Sequence, residues 1–176
     1  MSICRSIPAS STLKMHSEMK KHIILIGMPG CGKTTLACLT GKACGLPWYD
    51  CDALIEEKAG MSVSEVFATW GESAFRSMET AALIALCKQE CGIIATGGGC
   101  VTREENYGIL RESGRIVWLL RDLDKLPTQG RPLSLSCDIR VLYDEREPLY
   151  QHFADVCVDN NGTIAETVQQ IQKLLF

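Results

Sequence analysis

Along the chain, short and nearly continuous apolar runs alternate with longer stretches of helical period. The first run, His-Ile-Ile-Leu-Ile at residues 22–26, stops at Gly27, and a run of this kind predicts a parallel strand buried on both faces. A helix is predicted over 32–44 and a weaker strand over 46–50. Two short helices follow over 53–59 and 63–69, separated by Gly60, with Ser62 as a cap. Helical period returns over 72–90. A third strand over 92–96 closes in Gly97-Gly98-Gly99, a helix follows near 101–111, and a fourth strand spans 115–120. Residues 121–135 form a loop bearing proline and glycine. Then come a helix over 137–152, a strand over 154–158 and an amphipathic helix over 163–175. Strands alternating with helices predict an α/β fold in three layers, a parallel sheet flanked by helices.

Residues 1–21 show no apolar period, are rich in serine and carry no acidic residue before Glu18. They are expected to lie outside the fold as a disordered leader or as residues ahead of the true start, with Met15 and Met19 as alternative starts. They contain no apolar stretch long enough for a secretory signal, although the composition is compatible with a short organellar transit peptide. A single domain is expected over 22–176.

The 176 residues are 46% hydrophobic and 22% charged, enough chain for one cooperative core without staples. Eighteen Lys and Arg against 21 Asp and Glu give a net charge of −3. That balance argues against nucleic acid or a membrane surface as partner, so any bound anion must be held locally. The longest unbroken apolar run, 81–87, is far short of the roughly 20 residues of a membrane-spanning helix. The ten cysteines form no Cys-x-x-Cys pair and no Cys/His zinc spacing. They read as reduced thiols, mostly small core residues, in a cytoplasmic protein. Cys31 stands apart: it lies in a glycine-rich loop where a helix N-terminus favours a thiolate, which predicts sensitivity to oxidation.

That loop carries the first chemistry. Gly27-Met-Pro-Gly30-Cys31-Gly32-Lys33-Thr34-Thr35 satisfies Gly-x-x-x-x-Gly-Lys-Ser/Thr and sits between a buried strand and a helix. Its backbone N–H groups and the helix N-terminus suit a nucleotide β-phosphate. Lys33 would reach the β- and γ-phosphates, and the Thr34 hydroxyl would ligate Mg²⁺. The P-loop implies ATP or GTP as donor; the guanine-reading motif of GTPases is absent and no apolar strand ends in Asp-Glu, which leaves a small-molecule kinase. Asp50 and Asp52 fall at the carboxyl end of the second strand, and their i, i+2 spacing predicts that both point to one side of an extended segment. One would support the metal through water and the other would take a proton from an attacking hydroxyl.

Arg76 and Glu79 share a helix face at i, i+3. A guanidinium fixed in this way suits a carboxylate or phosphate on the acceptor. Gly97, Gly98 and Gly99 leave space for substrate to approach the backbone. Arg131, in Gly-Arg-Pro-Leu within the long loop, is placed to neutralise charge on a transferred phosphoryl group as a lid closes. Arg146 adds a second cation from the following helix, in which Pro148 predicts a kink or break.

Taken together these motifs resemble the shikimate kinase family across residues 22–175. The resemblance rests on the P-loop, on Tyr-Asp50-Cys-Asp52 followed by Ile-Glu-Glu, on Gly71-Glu-x-x-Phe-Arg76-x-x-Glu79, on Thr-Gly-Gly-Gly, on Arg131-Pro-Leu and on Arg146-x-Pro-Leu-Tyr150. It implies a nucleoside-monophosphate-kinase-like fold with a five-stranded parallel sheet, a substrate-binding segment near 51–81 and a lid near 121–135. It also implies transfer of the γ-phosphoryl of ATP to the 3-hydroxyl of shikimate with Mg²⁺. Position by position, Lys33, Asp52 and Arg131 would be catalytic. Gly27, Gly30, Cys31, Gly32, Lys33, Thr34, Thr35 and Arg131 would hold ATP, and Thr34 and Asp50 would hold the metal. Shikimate would be bound by Asp52, Arg76, Gly97, Gly98, Gly99 and Arg146, by a monomer. Many family members place a helix, with a further arginine near the adenine, between the fourth strand and Arg-Pro-Leu; here only residues 121–130 intervene. Competing readings are a gluconate or nucleoside-monophosphate kinase on the same fold and a non-catalytic nucleotide-binding module.

Overall fold

A computed structural model describes residues 21–127 and 138–175. The leader expectation for 1–21 therefore falls, apart from Lys21, outside the described residues, as does most of the expected lid.

Five parallel strands, β1 (His22–Ile26), β2 (Trp48–Asp50), β3 (Ile93–Ala95), β4 (Gly114–Leu120) and β5 (Val156–Asp159), form one sheet in the order β2-β3-β1-β4-β5. β1 lies at the centre and is buried at every position. Its register sets Leu25 opposite Ala95 on one side and Val117 on the other. The chain leaves β1 for the β2–β3 side and later crosses to the β4–β5 side, so the connections diverge at the carboxyl ends of the central strands. In open α/β sheets that divergence makes the ligand crevice.

Six helices flank the sheet: α1 (Lys33–Cys44), α2 (Cys51–Ala59), α3 (Val63–Leu86), α4 (Glu104–Ser113), α5 (Ile139–Phe153) and α6 (Ile164–Gln172). In α1 the buried positions Lys33, Leu36, Ala37, Thr40, Gly41 and Cys44 recur at helical spacing and face the sheet and α6. α3 begins with a capping box in which Ser62 and Glu65 satisfy each other's backbone N–H. The two helices expected on either side of residues 70–71 are one element bent at Gly71, whose φ of 78° and ψ of 173° are non-helical. α3 ends at Leu86, four residues before the expected end, in a C-terminal turn closed by Cys87 and Gln89 backbone bonds. A 3₁₀ turn at Cys100–Thr102 precedes α4, splitting what the pattern suggests is one helix. α5 runs through Pro148 without the predicted break.

Four of the eight described cysteines (31, 44, 51 and 100) are buried, three are intermediate and Cys157 is exposed; all eight are free. Among the described residues no helix is long and apolar enough to cross a membrane.

Candidate active site

The loop after β1 supplies the phosphate end. Gly27, Gly30 and Gly32 all have positive φ, and Gly32 leads directly into α1. Lys33, the first residue of that helix, is buried and donates from Nζ to the carbonyls of Gly27 at 2.8 Å and Met28 at 3.0 Å. The ammonium is thereby stored against the loop it would serve. Cys31 is only 1% exposed. This corrects the expected oxidation sensitivity, because the thiol is packed inward, against the backbone of Gly27.

Thr34 and Asp50 meet directly: Thr34 Oγ1 donates to Asp50 Oδ2 at 2.5 Å, while Asp50 Oδ1 accepts from the Ala53 N–H at 3.0 Å and caps α2. The expected geometry for Asp50 and Asp52 therefore needs correction. The helix starts at Cys51, so Asp50 closes the strand and Asp52 stands in the first turn of α2 rather than on an extended segment. Asp52 lines the cavity, and Asp50 bonds Thr34, which lines it as well. A hydroxyl and a carboxylate side by side, with Thr34 exposed and Asp50 partly so, are hard oxygen donors open to solvent. They fit a hydrated Mg²⁺ that keeps several waters.

Across the cavity, Arg76 is held from two sides: Nη1 pairs with Glu79 Oε2 at 3.0 Å and Nη2 with Glu72 Oε1 at 3.1 Å. Burial pushes the Glu79 carboxyl above its ordinary range, against the pull of Arg76. This pair explains two of the three glycines after β3, Gly97 and Gly99, and Pro29 explains the third. A Cβ on Gly97 would collide with Glu79 Oε1, one on Gly98 with Pro29, and one on Gly99 with the Arg76 guanidinium. The space expected for substrate is thus taken in part by the protein's own Arg76, Glu79 and Pro29. From α5, Arg146 Nη1 donates to the Gly98 carbonyl at 3.1 Å, and the fully buried Tyr150 hydroxyl donates to the same oxygen at 2.5 Å. Burial drives the Tyr150 hydroxyl far above its usual pKa, so it remains a neutral donor.

Lys33, Thr34, Asp52, Arg76 and Arg146 line one cavity of about 450 Å³, together with Gly97 to Gly99 and the P-loop glycines 30 and 32. Arg131 lies outside the described residues. Arg121 directly follows β4, and among the described residues Asp122 and Asp124 pair with Lys125 and Arg140 rather than with it. Arg121 donates instead to the Asn160 carbonyl at 2.9 Å. Asn160 is a residue the motifs do not flag. It touches the P-loop from a position 129 residues away, and no local spacing announces such a contact.

Replacing Gly99 by alanine is expected to displace the Arg76 guanidinium without unfolding the chain, because the obstructing atoms are the end of a side chain. The expected outcome is an increase of about ten-fold in the KM of an anionic acceptor, with the KM for ATP unchanged, measured by steady-state kinetics.

A parallel sheet, a strand–loop–helix phosphate cradle and a facing carboxylate with two anchored guanidinium groups define a P-loop kinase. A family model for shikimate kinase matches residues 29–176. A shikimate kinase of Clostridium botulinum (strain Alaska E43 / Type E3) is 37% identical over 164 residues, covering 90% of this chain and 99% of the relative. Among solved structures, a shikimate kinase from Acinetobacter baumannii in complex with shikimate superposes with a TM-score of 0.79 at 27% identity, covering 92% of this chain and 96% of the other. One from Bacteroides thetaiotaomicron superposes with a TM-score of 0.77 at 28% identity, over 88% and 98%. The chain belongs to the shikimate kinase family.

Proposed function

We propose that this chain transfers the γ-phosphoryl group of ATP to the 3-hydroxyl of shikimate, giving shikimate 3-phosphate and ADP. The observation that carries this reading is one cavity lined by Lys33 and Thr34 together with Asp52, Arg76 and Arg146. Phosphoryl transfer depends on placing donor and acceptor in line and balancing charge, which such a cavity does by position alone. Lys33 exchanges its two loop carbonyls for phosphate oxygens. Asp52 orients the acceptor hydroxyl and takes its proton. Arg76, braced by Glu79 and Glu72, and Arg146, braced on the Gly98 carbonyl, retain further N–H donors for the acceptor's carboxylate. Arg131 adds charge at the transferred group.

Mg²⁺, held by Thr34 and Asp50, neutralises phosphate charge when bound. On a chain of net charge −3, two anionic substrates are drawn to these fixed cations and not to the surface as a whole. We assign the chain to the cytoplasm, acting as a monomer.

An ADP-release assay with Mg-ATP tests the reading, with shikimate, gluconate and nucleoside monophosphates offered in turn. Turnover dependent on shikimate alone is the expected result. Turnover with a different acceptor would overturn the substrate assignment, and ATP binding without turnover on any acceptor would overturn the enzyme assignment.

A further inference from the structure

Asn160 follows the last residue of β5 and is 2% exposed. Its side chain makes two hydrogen bonds: Nδ2 donates to the Cys31 carbonyl at 2.6 Å, and Oδ1 accepts from the Thr167 hydroxyl of α6 at 2.9 Å. A carbonyl only accepts, so the amide nitrogen must be the atom that faces Cys31, and this fixes the amide's orientation. Its backbone is held as firmly, with its N–H donating to the Leu120 carbonyl at 2.8 Å and its carbonyl accepting from Arg121 Nη1 at 2.9 Å.

The Cys31–Gly32 peptide is trans. In a trans peptide the C=O of one residue and the N–H of the next point in opposite directions. Cys31 is buried away from the cavity, whereas Gly32 lines it. A carbonyl drawn outward to Asn160 therefore turns the Gly32 N–H inward, toward the space for phosphate. The backbone alone does not enforce that orientation. Gly32 has φ 96°, and glycine tolerates either sign of φ, so the flipped peptide is sterically open to it.

We propose that Asn160 is a positioning residue that sets the orientation of the Cys31–Gly32 peptide, and with it a phosphate-binding N–H, under the control of Thr167 and Arg121. The inference rests on the reading that this loop holds the phosphates of ATP. It also gives Arg121 a role that needs no contact with the nucleotide: it anchors the residue that orients the loop.

The test uses the full chain in the variants Asn160→Ala and Thr167→Val. In Asn160→Ala the KM for ATP and the Kd for Mg-ADP by calorimetry are expected to rise about ten-fold, the weight of one hydrogen bond to a charged group. The KM for shikimate should stay within about two-fold, inside the context scatter of such effects. Thr167→Val frees the amide to rotate and should shift the same two constants in the same direction by less. In the wild-type chain the Gly32 amide resonance should move strongly on adding Mg-ADP, and in Asn160→Ala it should move little. Unchanged nucleotide constants, or equal losses for both substrates, would overturn the proposal. If Asn160→Ala does not fold, Thr167→Val decides by the same criteria. Calorimetry and the Gly32 resonance need no turnover, so they separate failure of this inference from failure of the shikimate assignment.

Discussion

Asp52→Asn is expected to lower kcat by about 10² to 10⁴-fold, the range of general acid–base contributions, while Mg-ADP binding stays as in the parent chain. Asp52 stands in the first turn of α2 and lines the cavity shared with Lys33 and Arg76. Asparagine keeps its size and its ability to hydrogen-bond a hydroxyl but cannot accept a proton. Because the transition state of phosphoryl transfer is loose and the nucleophile is little bonded in it, positioning carries much of the rate; the variant should therefore be crippled and not inert. A variant that keeps more than a third of the parent kcat would show that Asp52 only orients the acceptor.

The sequence made the P-loop legible because its function is encoded locally, in glycines and a lysine at fixed spacing between a buried strand and a helix. Arg76 and Glu79 were legible for the same reason, being one turn apart on a helix. For Asp50 and Asp52 the spacing predicts an extended segment, and the structure shows a strand end and a helix turn instead. An aspartate serves a strand end and a helix cap equally well, and only the Ala53 N–H bond decides that the helix begins at Cys51. The three glycines were recognised as a close approach, but the approaching atoms are those of Arg76, Glu79 and Pro29, a fact of packing that composition does not carry. Asn160 was invisible because its partners, Cys31 and Arg121, come from two other loops. Its effect passes through a backbone carbonyl, which leaves no mark on the identity of the residue it holds.

The Glu79 carboxylate shows stability and function drawing on one buried group in opposite ways. Glu79→Ala leaves Arg76 buried without its 3.0 Å partner, and breaking a buried pair in this way costs about 3–5 kcal/mol. In a domain of this size that corresponds to a fall in Tm on the order of 10 °C, with the KM for shikimate raised because the guanidinium has lost its brace. Glu79→Gln separates the two effects. The folded pKa of Glu79 is raised by burial above the ordinary 4.5. Its contribution to stability is therefore fully present below that value and is lost as pH rises through the folded pKa. Glutamine does not titrate, so its Tm relative to the parent should rise from acid toward neutral pH. Its amide cannot balance the Arg76 charge, so the KM for shikimate should still rise. Thermal melts across pH, paired with shikimate kinetics, check both halves. A Tm difference from the parent that stays constant or widens from acid toward neutral pH would mean that the attraction of Arg76 outweighs the cost of burying the carboxylate.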